Sequence, residues 1–317
     1  MSGFLIQRLS QSAIVIVIMS FVIYTLIGLM PGDPIDIMIA SDPKLTPEDA
    51  ARLKALYGLN LPIVERYWNW LSAALDGDLG FSRTHNEPVL TVMGPHLART
   101  LLLMGLSFVL SVLIAIPLGV WAAARPYSFR DYAVNLLSLA GRSAPSFWLA
   151  LILIFVFSVW LGWLPAGGLE TIGKGGFWDR LQYLILPVLS LTLLNVAGFT
   201  RFVRAETMFV LRQDFIRTAR AKGLSERSVM MGHALRNAMI PVVTIIALDF
   251  GTLFSGALIT ETVFAYPGMG KMIFDSILTN DYNLALVGLL FATFITLVAN
   301  VGADITYAVL DPRISLS

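Results

Sequence analysis

Few residues in this chain are equipped for chemistry. The stretch Gly168-Leu-Glu-Thr-Ile-Gly173-Lys174-Gly175 comes close to a P-loop. Such a loop cradles phosphates on backbone amides, reaches them with its lysine and holds magnesium through a Ser or Thr hydroxyl. Here Gly175 stands where the hydroxyl belongs, and an apolar run rather than a core strand precedes the glycines. No other phosphate cradle is present, so no ATPase site is expected on the chain. If ATP and magnesium drive it, another chain must bind them. His85, His96 and His233 lack metal-like spacing. There is no cysteine, which excludes disulfides, thiolate ligands and thiol catalysis. No Ser–His–carboxylate set is evident at membrane depth, and no catalytic residue is expected.

Two carboxylates, Asp249 and Glu261, fall in one apolar run. An ionisable group at membrane depth is costly and points to function. Asp249 either lines a path across the membrane or makes a structural hydrogen bond to a neighbouring span. Glu261 stands at the outer end of the run, as a gate or receptor contact or simply at the interface. The basic residues concentrate elsewhere, in Arg201–Pro241. That stretch holds Arg201, Arg204, Arg212, Arg217, Arg220, Lys222, Arg227 and Arg236 against Glu206, Asp214 and Glu226.

The elements that must position these residues are membrane spans. Of 317 residues 56% are hydrophobic and only 14% charged, with mean hydropathy +0.75. A soluble domain is about a quarter charged. The net charge of +1 gives no electrostatic case for nucleic acid. A helix needs about 20 apolar residues to cross a bilayer. Six stretches qualify: Leu9–Met30, Thr100–Ala124, Tyr132–Leu161, Leu181–Phe199, Val242–Phe264 and Leu284–Leu310. Pro145 is expected to kink the third. The first exceeds a signal-peptide core and no small-x-small site follows it, so it reads as a retained span.

Arg8, Arg125, Arg130, the basic stretch and Arg313 fall on one side of a six-span chain. That side is expected to be the cytoplasm, with both termini there. The opposite Pro31–Arg99 loop is acidic and too long for a turn. Thr46-Pro47-Glu48-Asp49 predicts a capped helix start, with Gly58 as its stop. A second helix begins near Pro62, carries Val64, Tyr67, Trp68, Leu71 and Leu75, and ends at Asp76-Gly77. It suits a membrane surface or packing against the spans. Trp160, Trp163 and Trp178 suit an interfacial belt.

In the basic stretch, the fourth span is expected to continue as a cytosolic helix. Asp214 can cap a short helix, with Arg220 and Lys222 in its last turn and Gly223 as its stop. Ser225 can cap the next helix, whose Val229, Met230 and His233 share a face. Pro241 marks the return to the membrane. Thr218, Ala219 and Ala221 are small enough to let another protein approach closely.

Asp214-Phe-Ile-Arg-Thr-Ala-Arg-Ala-Lys-Gly-Leu-Ser225 and His233-Ala-Leu-Arg-Asn-Ala-Met-Ile-Pro241 resemble the EAA-type loop of ABC importer permeases of the dipeptide/oligopeptide/nickel class. Further landmarks follow in family order: Pro31-Gly-Asp-Pro34, Tyr57-Gly-Leu-Asn-Leu-Pro62, Gly77-Asp-Leu-Gly-Phe-Ser82, Gly162-Trp-Leu-Pro-Ala-Gly167 and Glu261-Thr-Val-Phe-Ala-Tyr-Pro-Gly-Met-Gly270. The long outer loop is similar to that of the B-type subunit. The resemblance implies an all-α, six-span inner-membrane permease domain over residues 1–317, with its core at about 96–310. The outer loop is residues 31–99 and the coupling loop residues 201–241.

It also implies partners: a second permease subunit, two ATPase subunits or domains holding ATP and magnesium, and an extracytoplasmic substrate-binding protein. Arg217, Thr218 and Ala219 match the name-giving Glu-Ala-Ala positions, and Gly223 the motif's glycine. Arg217 departs from the acidic residue, and the motif's proline is displaced to Pro241. Arg217, Thr218, Ala219, Arg220, Ala221, Lys222, Gly223, Leu224 and Ser225 are the expected ATPase-docking positions. Asp249, Glu261, Tyr266, Pro267 and Gly268 are the expected path or gate, with Asp249 also a candidate contact for a peptide amino terminus. Peptides, nickel chelates, glutathione and sugars all fit as cargo. The rival is an ion-coupled secondary transporter, for which inverted repeats and several midplane charges would be needed.

Overall fold

The computed structural model describes residues 2–30, 46, 48, 49, 52, 60–250 and 253–310. Helices dominate. In chain order they are α1 (Ser2–Gly28), α2 (Ile63–Leu75), α3 (Val89–Ala123), α4 (Phe129–Ser143) and α5 (Ser146–Leu153), the last prolonged by a π-helical turn at Ile154–Trp160. Then come α6 (Phe177–Leu211), α7 (Asp214–Ala221), α8 (Glu226–Ser228) and a second π-helical turn at Val229–Ala234. The rest are α9 (Leu235–Phe250), α10 (Leu253–Val263), α11 (Met269–Leu278) and α12 (Tyr282–Leu310). A two-residue hairpin, β1 (Phe81–Ser82) with β2 (Glu87–Pro88), pairs Phe81 with Pro88 and Ser82 with Glu87.

Among the described residues, five helices are long and apolar enough to cross a membrane, and six if the bent pair α4–α5 counts as one. The expected third span departs most from its reading. Rather than kinking, the chain breaks at Ala144–Pro145 by 104°. Ala144 is extended (ψ 129°) and Pro145 caps α5. A residue before proline is driven out of the helical region, which turns a kink into a break. The fifth span also differs. Pro241 lies inside α9 rather than at its start, and the described helical stretch long and apolar enough to cross begins at Glu226. Membrane helices tolerate internal proline. The fourth is as expected: α6 runs on without interruption to Leu211.

The chain forms two compact units, residues 1–99 with 268–297 and residues 100–267 with 298–317. In the first, Ile23 and Ile27 of α1 pack with Ala285 and Leu286 of α12. The α2 helix lies on α1 through Tyr67, whose hydroxyl is 2.8 Å from Ser20 Oγ and whose ring meets Phe21 edge-on at 5.1 Å. Such an aromatic pair adds about 0.5–1.5 kcal/mol beyond area burial. Val64, Trp68 and Leu75 point away from α1 and stay exposed, so the expected apolar stripe divides into two faces. Asp76 and Gly77 (φ +91°) end the helix. Thr46 Oγ1 accepts from the Asp49 amide at 3.3 Å, and the Asp49 carboxylate accepts from the Thr46 amide at 3.0 Å. That is the reciprocal cap its sequence calls for. Gly58 and Pro31-Gly-Asp-Pro34 fall outside the described residues.

In the second unit, α6 is the central element. Phe199 and Val203 pack with Ala115 of α3 and with Val242 and Ile246 of α9. Gly119 lets α3 approach α6, since a Cβ there would stand 2.6 Å from Val203 Cβ.

Candidate functional site

The basic stretch folds as a small platform on the end of α6. Gln213 caps α7, and Asp214 is its first residue rather than its cap. Asp214 instead pairs with Arg217 at 3.4 Å. Gly223, at φ +79°, provides the left-handed stop. Ser225 Oγ accepts from the Ser228 amide at 3.3 Å and starts α8. Across this break, Arg220 donates twice to Glu226, at 2.8 and 3.0 Å.

Underneath lies an apolar floor of Val210, Ile216, Ala219, Val229, Ala234 and Ala238. Ala219 therefore faces inward at 5% exposure, whereas the sequence suggested an outward approach surface. The helical period explains it: Ile216 and Ala219 are three apart and share the buried side. Met230 packs on the same floor, next to Val229. Arg217, Thr218, Arg220, Ala221, Lys222, Gly223, Leu224 and Ser225 are exposed.

A partly buried ion pair anchors the platform's root. Arg204 on α6 donates through Nε and Nη2 to both oxygens of Asp131 on α4, the second at 2.8 Å. Asp131 also accepts from the Tyr127 amide at 2.8 Å and from Asn135 at 2.9 Å. Sequence reasoning missed Asp131. The available signal was an acid in the first turn of a helix, opposite a row of arginines.

Two landmark motifs meet at a second place. The Gly168 amide donates to the Phe264 carbonyl at 2.9 Å. A Cβ on Gly167 would stand 2.1 Å from that same oxygen, so only glycine fits. Beside it Glu261 is fully buried and accepts from Thr100 Oγ1 at 2.5 Å. The Glu261 carbonyl accepts from the Tyr266 amide at 2.8 Å, closing the turn, with Tyr266 itself buried. Pro267 is half-buried, and Gly268 caps α11. Asp249 is half-buried on α9.

A third cluster, also missed from sequence, centres on Asp281. Its Oδ2 accepts from Ser82 Oγ at 2.6 Å and from the Thr84 hydroxyl and amide at 2.7 and 3.0 Å. Its Oδ1 accepts from the Leu284 amide at 3.4 Å, at the start of α12. Burial pushes the carboxyl up, but the bonds from Ser82, Thr84 and Arg83 outweigh it and hold the group below its usual value. Arg83 donates to the Thr279 carbonyl and Asn283 to the Phe81 carbonyl. The sequence signal was an Asp just before an apolar run, where a helix cap belongs. His85 Nδ1 is 3.0 Å from Ser82 Oγ. This is not a catalytic triad, because the serine donates to the carboxylate directly and the imidazole does not stand between them.

The P-loop-like stretch binds a carboxylate of its own chain. The Thr171 amide and hydroxyl donate to Asp179 at 2.6 and 2.7 Å. Helical turns precede it, not a strand.

Against this geometry, the similarities to known proteins are informative. A family model for the binding-protein-dependent transport system inner membrane component matches residues 115–316. A model for the N-terminal part of such membrane components matches residues 1–103. The oligopeptide transport system permease protein AppB of Bacillus subtilis is 40% identical over 316 residues, covering 99% of each chain. The dipeptide transport system permease protein DppB of Alkalihalophilus pseudofirmus is 34% identical over 333 residues, again covering 99% of each.

Proposed function

We propose, on the premise that the chain belongs to the family of binding-protein-dependent transport system inner membrane components, that it carries di- or oligopeptides across the membrane as the permease subunit of an ABC importer. The observation that carries the peptide reading is full-length similarity to oligopeptide and dipeptide permeases. It favours peptides over nickel chelates, glutathione or sugars, and an ATP-driven importer over an ion-coupled transporter. An extracytoplasmic binding protein delivers the cargo. A second permease subunit completes the path, and two ATPase subunits or domains hold ATP and magnesium. Both termini are cytoplasmic, since the basic connections share that side.

The exposed face of α7 and its glycine stop, Arg217, Thr218 and Arg220–Ser225, docks on an ATPase subunit. Two features support this. The apolar floor gives the platform a fixed shape without a partner. The Asp131–Arg204 pair ties its root to α4, so a push on α7 is delivered to the spans as a rigid movement. At the other end, the turn closed by Glu261, Tyr266 and Pro267, with Gly268 beyond it, acts as a gate element whose register Gly167 and Thr100 fix. ATP-driven approach of the ATPase subunits then alternates access between the two sides.

Reconstitution tests the reading. The chain, its second permease, ATPase subunits and binding protein in proteoliposomes should take up radiolabelled trialanine only with ATP. Uptake driven by an ion gradient without ATPase subunits would overturn it. A variant Ala221→Trp should assemble yet lose at least about ten-fold in uptake, and wild-type uptake would sink the docking face.

A further inference from the structure

One arginine, on α4, belongs to neither the platform nor the gate turn. Arg142 is the penultimate residue of α4, is exposed within its unit, and lies inside an apolar stretch. It crosses α6 at a glycine: a Cβ on Gly198 would be 3.2 Å from Arg142 Nη1. The helices are also close one residue earlier, where a Cβ on Gly141 would touch that of Ala197 at 3.0 Å. Across α6, this same guanidinium lies within electrostatic reach of Asp249. Asn195 contributes a buried amide nitrogen with no partner.

The packing brings the three residues to one level. Phe199 of α6 and Ile246 of α9 lie in one buried cluster. Asn195 lies about one turn from Phe199 and Asp249 about one turn from Ile246. The chain turns back between them through α7 and α8, so both steps run the same way. A guanidinium exposed at this depth cannot face lipid and must face a wet cavity or the interior of a bundle. An unpartnered amide at the same level is a hydrogen-bond donor still waiting for an acceptor.

We propose that Arg142, Asn195 and Asp249 form a polar station in the translocation path that receives a zwitterionic solute. The guanidinium takes its carboxylate, the carboxylate its ammonium, and the Asn195 amide donates to a carbonyl between them. The solute's class rests on the peptide reading above, whereas the wet, two-signed character of the station does not. It replaces a water shell for both ends of a short peptide at a point where the surrounding surface is apolar.

The chain has no cysteine, so single cysteines are unique labels. Arg142→Cys, Asn195→Cys and Asp249→Cys are assembled with cysteine-free partner subunits in proteoliposomes. They are then treated with an anionic and a cationic hydrophilic methanethiosulfonate. Leu113→Cys, on an apolar face of α3 at 63% exposure, is the lipid-facing control. Each station cysteine should react at least about ten-fold faster than the control. Asp249→Cys should prefer the anionic reagent, drawn by Arg142, and Arg142→Cys the cationic one, drawn by Asp249. Adding Asp249→Asn should abolish the second preference.

Transported trialanine should slow labelling at all three positions. Asn195→Cys keeps both charges and decides the matter if a charged position does not assemble with cysteine. Rates equal to the control, or one reagent preferred at both charged positions, would overturn the station. If the unmodified complex takes up no trialanine but the reversed preferences persist, the peptide reading fails and the station stands.

Discussion

Ser82, Thr84 and Asp281 turn their polar atoms toward one another, whereas Arg217, Thr218 and Lys222 stand exposed on the platform's surface. Both regions are short excursions from the spans and both are held by hydrogen-bonded turns. The hairpin is internally complete: one carboxylate caps α12 with one oxygen and takes three bonds from the turn with the other. The platform is complete only on its apolar side. Its ion pairs, Arg217–Asp214 and Arg220–Glu226, are solvent-exposed and contribute little to stability. The difference separates two jobs. A region that satisfies itself holds its own shape. One with a finished floor and a polar face left open to solvent is shaped for something else to land on.

Asp281→Ala should show the largest effect and tests the first half of that contrast. It removes the acceptor for Ser82, which is buried at 1% exposure, and for Thr84. A loss of about 3 kcal/mol is expected from several orphaned donors. Thermal unfolding in detergent reads it, as does new proteolytic cleavage between Gly77 and Pro88. A variant as stable and as protease-resistant as the unmodified protein would break the comparison. Arg217→Ala is the matched change on the platform. It should leave the melting temperature in place and lower ATP-dependent uptake.

Ala219→Leu and Ala221→Leu sharpen the second half, because they lie two residues apart on opposite sides of α7. Ala219→Leu overfills the floor against Val229 and Ala234 and should cost about 2 kcal/mol. Ala221 is exposed, so Ala221→Leu should change stability by no more than about 0.5 kcal/mol. Its expected effect is on coupling, read as ATP hydrolysed per peptide taken up. If both variants unfold alike, or both transport normally, α7 has no inner and outer face in the sense argued here.

Much of this architecture was legible in the residues, for reasons that also explain the gaps. Hydropathy located most of the spans because burial in lipid needs only apolar length, but it set the start of the fifth at Val242, where the apolar helix begins at Glu226. Caps and glycines located α7 and its stop because Gly223 and Ser225 act over three or four residues. The face of Ala219 was misjudged because its smallness suits both a docking surface and a tight floor. Only the partner residues, Val210 from before α7 and Ala238 from after it, decide between them. Asp131 with Arg204 and Asp281 with Ser82 were out of reach for a similar reason. Their partners are 73 and 199 residues away, and no local rule pairs them. Pro145 was read correctly as a disruption but underestimated, since its effect on Ala144 adds to its own missing amide. Arg142 was passed over inside an apolar stretch, where a lone charge should have drawn the same question as Asp249.

The smallest effect expected is a pH dependence confined to acid. The Asp281 carboxyl, raised by burial but lowered further by its donors, ionises in the folded protein below its ordinary value. The unfolded chain therefore binds that proton more readily. The contribution of Asp281 is fully present above the unfolded value, about 3.9, and is lost as pH falls through the lower folded value. The difference in thermal stability between the unmodified protein and Asp281→Asn should be flat from neutral pH to about pH 5 and shrink only below about pH 4. The platform's ion pairs cancel from this difference, because both proteins carry them. A difference that widened on acidification would mean that Asp281 is protonated in the folded state. The hairpin would then be held by a neutral acid donating a bond rather than by a carboxylate accepting several.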